Sequence, residues 1–433
     1  MQISVFGTGY VGLVSGACFA ELGNTVTCFD IDESKIASLK KGAALIYEPG
    51  LEELLATNLA AGRLVFTADV RQATKAAEMI FLAVGTPSSA NGSADLSQLF
   101  AAAQMIAKHA TRPLIVAAKS TVPVGTADRL REIFKGAKAK ISVAANPEFL
   151  REGAAIKDFL NPDRVIVGVD DEALKPPFQV LYSAVARIQR PLIFMSVRSA
   201  EITKYACNAF LATKISFVNE IASLAEQVGA NIAEITTGMG FDTRIGSRFL
   251  QAGVGFGGSC FPKDLRALQR TLVERGVEPT IIEAVNKVNE RQKLILLTKL
   301  TALMPDLKKK TIAVWGLTFK PRTDDIRESA ALTLIPLLLE RGANVKAYDP
   351  KGMAAAQQVL PEQVIFTKSA KEAASRADAV MVLTEWDEFR GIDLNELTTL
   401  MSGKILLDGR NIYSHAQATK AKLIYRGVGV SAS

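Results

Sequence analysis

Histidine is nearly absent, with only His109 and His415 in 433 residues. Neither has a ligand-like neighbour, so a histidine-built metal site is excluded and both read as helix-end or surface residues. No metal is expected. Cysteine is almost as scarce. Cys18, Cys28, Cys207 and Cys260 form no CxxC pair and are too sparse for a disulfide framework, which points to a reducing compartment. No apolar run reaches the roughly 18 residues of a spanning helix, so no membrane partner is expected. The opening residues MQISVFG already read as a strand, leaving no room for a signal peptide. A soluble, cytoplasmic protein is the expectation. Dense basic blocks are missing too. Lys and Arg number 51 against 44 Asp and Glu, and the longest run, Lys308-Lys309-Lys310, reads as a surface turn ahead of a strand. That balance favours small anionic ligands and argues against nucleic acid. What is present in quantity is apolar: 48% hydrophobic with 22% charged excludes a disordered chain. At roughly 100–200 residues per domain, the length suggests two to four domains.

The first part of the chain alternates short β-rich runs with helical patterns. ISVFG, NTVTCFD, LVFTAD, MIFLAVG, LIVAAKS, ISVAANP, RVIVGV and PLIFMS show little polar alternation. Such strands, separated by helices, predict a parallel sheet covered on both faces, hence a doubly wound α/β fold. From about Ser199 the pattern changes. No Pro or Gly occurs until Gly229, which predicts one helix of about 30 residues, about 45 Å long. A helix this long joins domains and can pack on a second copy of itself. A helix carrying Leu265, Leu268 and Leu272 on one face follows, then a helical segment over 280–303. The last third restarts the first pattern with TIAVWGL, ANVKAYDP, ADAVMVLTEW and KILLDGR, and only Gly316 follows its first strand. The expected fold is therefore two Rossmann-like doubly wound α/β domains joined by a long central helix. The bounds are 1–198, 199–303 for a central helical region with a cysteine loop, and 304–433.

Gly7-Thr8-Gly9-Tyr10-Val11-Gly12 follows the first strand and opens a helix. Gly7 permits the tight turn, Gly9 the approach of a pyrophosphate, and Gly12 the packing of helix on strand. The helix N-terminus offers amide donors to phosphates. Asp30 ends the next strand, where a carboxylate accepts from both ribose hydroxyls and repels a 2′-phosphate, so NAD is favoured over NADP. Lys35 is placed to border the adenosine ribose. The competing view is a glycine-rich turn without ligand and a solvated Asp30. Gly85-Thr86-Pro87, Ser120-Thr121-Val122-Pro123 and Asn146-Pro147-Glu148 each stand just past a strand, at the ligand-binding edge of an open sheet. Ser120 serves equally well as a helix cap. Glu148 and Glu152 share a face if 148–152 is helical.

Cys260 sits between a glycine-rich stretch and Pro262-Lys263-Asp264 at a helix start. The helix dipole and Lys263 both favour its thiolate, the nucleophilic form. A buried structural thiol is the alternative, and it suits Cys18 and Cys28 better. Cys207 reads as packing. Lys204 and Asn208 are four apart on the long helix, so an ammonium and an amide share a face and can hold an oxyanion. A plain exposed face is the competing reading.

Taken together, GTGYVG, GTP, STVPVGT, NPEFLREG, the Lys204–Asn208 helix, FDTRIG, GFGGSCFPKD and GLTFK occur in one order over about residues 1–410. In these motifs the chain resembles the nucleotide-sugar (UDP-glucose/GDP-mannose) dehydrogenase family, and FDTRIG with FLQAGVGFGG resembles its UDP-glucose branch more than its GDP-mannose branch. The resemblance implies oxidation of a sugar C6 alcohol twice with two NAD⁺, releasing a uronate. It implies Cys260 as nucleophile, Lys204 and Asn208 as oxyanion partners, Asp264 and Thr121 as positioners of water, and Glu148 as a base. The proton roles of Lys204 and Asp264 stay interchangeable. For NAD it implies Thr86, Thr121, Glu152, Lys263 and Arg327 beside the glycine loop. For UDP-glucose it implies Glu148, Phe149, Leu150, Arg151 and Glu152. Phe249, Leu250, Gln251, Ala252, Gly253, Gly257 and Lys320 complete that set with Lys204 and Asn208. Arg244 matches an arginine that reaches into a partner subunit, with Arg410 a weaker cross-subunit candidate. A homodimer built on the long helix is therefore implied, and the product's use in polysaccharide synthesis is the family's implied role. Gln251 departs from relatives that carry lysine there. The alternatives are a GDP-mannose enzyme, a two-electron hydroxyacid dehydrogenase and a non-catalytic NAD-sensing protein.

Overall fold

Strands and helices alternate in this computed structural model as apolar pattern and glycine placement require, through the described residues 1–89, 91–186 and 191–430. Residues 187–190 and 431–433, which the expected domain bounds include, lie outside the described residues. The chain forms two compact units, 1–207 with 266–277, and 208–265 with 278–433.

The first unit carries β1 (Gln2–Phe6), β2 (Thr25–Phe29), β3 (Leu64–Thr67), β4 (Met79–Leu82), β5 (Leu114–Ala118), β6 (Ile141–Ala145), β7 (Val165–Gly168) and β8 (Leu192–Met195). They form one sheet in the order β3-β2-β1-β4-β5-β6-β7-β8. Successive side chains along a strand point to opposite faces. Ile3, Val5, Met79 and Phe81 accordingly join the core under the helix Tyr10–Glu21, while Phe6, Ile80 and Leu82 join the core under Ser97–His109 and Thr126–Phe134. Burial on both faces is why these strands show no polar alternation. The sheet is parallel as expected, with one exception. β6 meets β7 antiparallel, at Ala145 and Gly168. The intervening 146–164 segment holds only the short helix Ala155–Leu160 and returns without a crossover.

The second unit carries β9 (Thr311–Trp315), β10 (Asn344–Tyr348), β11 (Ile365–Phe366), β12 (Ala379–Val382), β13 (Ile405–Asp408) and β14 (Ile424–Arg426). Their order, β11-β10-β9-β12-β13-β14, repeats the plan of the first six strands, and every pair is parallel. Ile312 and Val314 face one core, Ala313 and Trp315 the other. The repeat extends to the acid that ends the second strand. Asp30 Oδ2 accepts from Thr8 N at 2.8 Å and Thr8 Oγ1 at 2.7 Å, and the residue stays half-buried. Asp349 accepts from Leu317 N, Thr318 N, Thr318 Oγ1, Lys351 N and Gly352 N, and the indole of Trp386 closes over it at 3.1 Å. Asp349 is 1% exposed.

The expected long helix is Val197–Val228, 32 residues. The helical segment expected over 280–303 is two helices, Thr280–Lys293 and Ile295–Leu303. The break has no proline. Leu294 N closes back on Arg291 O, three residues away, tightening the last turn. Among the described residues no helix is long and apolar enough to cross a membrane.

Candidate active site

In the first unit the glycine loop has three distinct physical demands. Gly7 adopts φ +97°, and a Cβ there would press on the Ala83 carbonyl at 2.8 Å. A Cβ at Gly12 would collide with the Gly7 carbonyl oxygen, so the helix can lie on the turn only with glycine there. Gly9 meets nothing within 4 Å, and no side chain caps the helix it opens. Open space before uncapped amide donors suits a pyrophosphate. Asp30 stands beside this loop through Thr8. Lys35 is exposed on the helix Glu33–Lys40, and Val11 packs on the core. Tyr10 turns its phenol onto the Glu48 carboxylate. Burial and that carboxylate hold the phenol far above its ordinary pKa, so it donates. Glu48 also accepts from Gly153 N and Ala155 N, both at 2.7 Å, tying the loop's helix to the turn after 148–152.

The segment 148–152 is not helical, so the condition under which Glu148 and Glu152 would share a helix face is not met. Its amides are taken by side chains instead: Leu150 N donates to Glu148 Oε2 at 2.6 Å and Arg151 N to Asp158 Oδ2 at 2.9 Å. Arg151 and Asp158 also form an ion pair. Glu148 and Lys204 are both buried, and Lys204 Nζ stands 3.3 Å from Glu148 Oε1. The ring of Phe149 lies 5.2 Å from that ammonium and is stacked by the Arg164 guanidinium at 3.6 Å. Thr86 Oγ1 donates to Thr121 O at 3.0 Å, joining the ends of β4 and β5. Ser120 is neither cap nor open ligand; its hydroxyl donates to Val84 O at 2.6 Å. Sequence reasoning missed Lys119. It is 4% exposed, donates to Asn146 Oδ1 at 3.1 Å, and lies 5.6–5.9 Å from the rings of Phe19, Phe81 and Phe159. A lysine closing an apolar strand run was the available signal.

In the second unit Cys260 immediately precedes the helix Phe261–Glu274 and is half-buried, its sulfur 3.6 Å from Ser259 Oγ. Cys18 and Cys28 are wholly buried, and burial pushes both thiols up to about 12. Cys207 lies on the long helix near Arg164 in the first unit. Asp264 is 1% exposed. Its Oδ2 accepts from Asn208 Nδ2 at 2.7 Å, and its Oδ1 pairs with Lys263 Nζ at 2.6 Å. An amide and an ammonium thus hold one buried carboxylate one turn into the cysteine's helix. Phe249 adopts φ +64°, uncommon for an aromatic residue, and starts the 249–253 segment. Leu250, Gln251 and Ala252 line a cavity of about 670 Å³ with Thr237, Arg390 and Arg410. The Arg410 guanidinium donates to Leu383 O and Phe319 O of its own chain. Gly257 lies where a Cβ would strike the Glu328 carbonyl, and Lys320 reaches over the Phe319 ring at 5.3 Å. Arg327 forks onto Asp325, and Arg244, 87% exposed, folds onto Asp242.

Three family models match in succession: the NAD binding domain of the UDP-glucose/GDP-mannose dehydrogenase family over residues 1–186, its central domain over 198–291, and its UDP binding domain over 313–415. The chain belongs to the UDP-glucose/GDP-mannose dehydrogenase family. It is similar to the UDP-glucose 6-dehydrogenase of Rhizobium meliloti (strain 1021), with 46% identity over 99% of both chains. It is equally similar to UDP-glucose 6-dehydrogenase TuaD of Bacillus subtilis (strain 168), at 46% identity over 99% of this chain and 93% of the other. The solved UDP-glucose dehydrogenase of Pyrobaculum islandicum superposes with a TM-score of 0.93 at 40% identity, covering 99% of this chain and 98% of that one. As a member of this family the chain is an NAD-dependent oxidoreductase, and the open glycine loop is the part of its first unit that fits the cofactor.

Proposed function

We propose that this chain is a UDP-glucose 6-dehydrogenase that converts UDP-glucose, two NAD⁺ and water into UDP-glucuronate and two NADH. The observation that carries the reading is the half-exposed Cys260 at a helix start, one turn before a buried Asp264 held by Asn208 and Lys263. Those are the parts that thioester chemistry requires.

NAD⁺, bound through the glycine loop, Tyr10, Val11, Asp30, Lys35, Thr86, Thr121, Glu152, Lys263 and Arg327, supplies the acceptor for each hydride. The chain's own groups do the rest. A base, Lys204 or Asp264, takes the C6 hydroxyl proton as the first hydride leaves, giving the aldehyde. The Cys260 thiolate then adds to C6, forming a C–S bond while the carbonyl pair moves onto oxygen. Lys204 and Asn208 donate to that oxyanion. Loss of the second hydride leaves a thioester. Asp264 and Thr121 hold the water that attacks it, Glu148 takes the water's proton, and the C–S bond breaks to return the thiolate. The contact with Lys204 holds the Glu148 side chain in place for this. UDP-glucose is held by 148–152, by Phe249, Leu250, Gln251, Ala252 and Gly253, by Gly257 and Lys320, and by Arg244 from a second subunit.

We further assign three domains, 1–198, 199–303 and 304–433, and a homodimer. Support for the dimer comes from Phe210, Phe217 and Leu224, which recur every seven residues on the long helix and are 66%, 53% and 57% exposed. Such a repeat suits the seam of one helix packing on another. The enzyme is placed in the cytoplasm, making uronate for polysaccharide synthesis. The test is stoichiometry. With UDP-glucose and NAD⁺, two NADH per sugar is expected; one would indicate a two-electron dehydrogenase. None, with turnover of GDP-mannose, would move the substrate to the other branch.

A further inference from the structure

The stretch leading to Cys260 has a backbone that belongs to no strand or helix, yet it is buried. Val254 is 2% exposed and Phe256 7%. Buried peptide groups need partners, and here side chains provide them. Asn289 forms a two-bond pair with one residue: Phe256 N donates to its Oδ1 at 2.8 Å, and its Nδ2 donates to Phe256 O at 3.0 Å. Gln292 Nε2 donates to Gly253 O at 2.7 Å, and Asn219 Oδ1 accepts from Gly253 N at 2.9 Å. All three amides are 1–2% exposed. They reproduce, from the helices Val197–Val228 and Thr280–Lys293, what a neighbouring strand would offer.

Two details show that this arrangement is maintained against local cost. Gly255 adopts φ +89°, and a Cβ there would stand 2.6 Å from Asn289 Oδ1, so glycine is what admits the amide. Asn219 Nδ2 has no hydrogen-bond partner among the described residues. A buried donor left unmade is unfavourable, so the value of Asn219 lies in its bond to Gly253. From Phe256 the restraint passes on. Its ring meets Phe261 edge-on at 5.8 Å, and Phe261 follows Cys260 directly. Gly258 N donates to Arg327 O at 2.7 Å, fixing the loop again two residues before Cys260.

We propose that Asn289, backed by Gln292 and Asn219, is a positioning residue that holds the 253–258 loop so that the Cys260 sulfur meets C6 after the first oxidation. The inference rests on the reading of Cys260 as the nucleophile. The first oxidation removes a hydride from the alcohol and forms no bond to sulfur. The second needs the C–S bond. A displaced cysteine therefore blocks the second stage and spares the first, whereas a merely structural loss lowers both together.

The experiment compares wild type, Asn289→Ala and Cys260→Ala at saturating UDP-glucose and NAD⁺. It counts NADH per sugar, traps aldehyde with a hydroxylamine reagent, and follows folding by circular dichroism. For Asn289→Ala, uronate formation should fall about 10–100-fold, the loss expected of a reacting group moved by about 1 Å, with NADH per sugar dropping from two towards one and aldehyde trapped. If Asn289→Ala slows turnover yet keeps two NADH per sugar, the positioning role is overturned. If Cys260→Ala itself yields two NADH per sugar, the nucleophile reading fails instead. Should Asn289→Ala not fold, Gln292→Met, which removes a single bond, is measured the same way, and a normal stoichiometry at reduced rate again overturns the proposal.

Discussion

Replacing Lys119 with methionine should change how stability depends on pH. The ammonium is 4% exposed, has one hydrogen bond, to Asn146, and is surrounded by three phenyl rings. Burial pushes its pKa from the ordinary 10.5 down to about 8; the nearby Glu148 charge pulls it up and Lys204 pushes it further down. For a cation whose pKa is depressed by folding, stability rises with pH wherever the unfolded chain binds the proton and the folded chain does not. Stability from this group is therefore complete above about 10.5 and is lost as pH falls towards about 8. The gap, at about 1.4 kcal/mol per pH unit, amounts to about 3 kcal/mol. Urea unfolding of wild type and Lys119→Met from pH 7 to pH 10 isolates it, because other groups titrate in both proteins. Wild type should gain about 2–3 kcal/mol on the variant over that range. A difference that stays flat, or falls as pH rises, would refute the account of Lys119 as a charge held at a desolvation cost.

Asp30→Ala removes an acceptor beside the glycine loop and also frees Thr8. Calorimetric titration should show NAD⁺ binding weakened about 10–100-fold, as for a lost charged hydrogen bond, with less discrimination against NADP⁺; unchanged NAD⁺ affinity would contradict the ribose contact. Phe217→Glu places a charge in the middle of the exposed stripe on the long helix. Sedimentation should then give a dimer mass for wild type and a monomer mass for the variant, since an unpaired charge is costly in an apolar seam. An unchanged mass would remove that stripe from the interface.

The sequence revealed what repeats and hid what is singular. Every strand of the first sheet lay inside an apolar run, because burial on both faces leaves an uninterrupted apolar signature. β11 and β14 escaped because two and three residues are too few to carry a pattern. The direction of β7 was invisible, since apolar composition is the same in either orientation. Whether the 148–152 segment is helical was left open by the spacing of its acids, and Glu148 and Asp158 draw its amides away from helix bonding. At the site, Cys260 stood out through local context, and Asp264 through the family resemblance. Lys119 did not, because its aromatic neighbours come from three distant stretches of chain. Asn219, Asn289 and Gln292 carry no mark in the sequence, and only the fold shows which backbone they serve.

Asp349 gives the second sheet a character that its shared topology conceals. With five backbone and hydroxyl donors and the Trp386 indole upon it, this acid has no lone pair left for a sugar diol. The matching acid of the first sheet, Asp30, is half-buried and accepts from Thr8 and Asp32, so the two sheets present different acids to a diol. A compound built around a free ribose is expected to discriminate between the two sheets by which of these acids stays accessible.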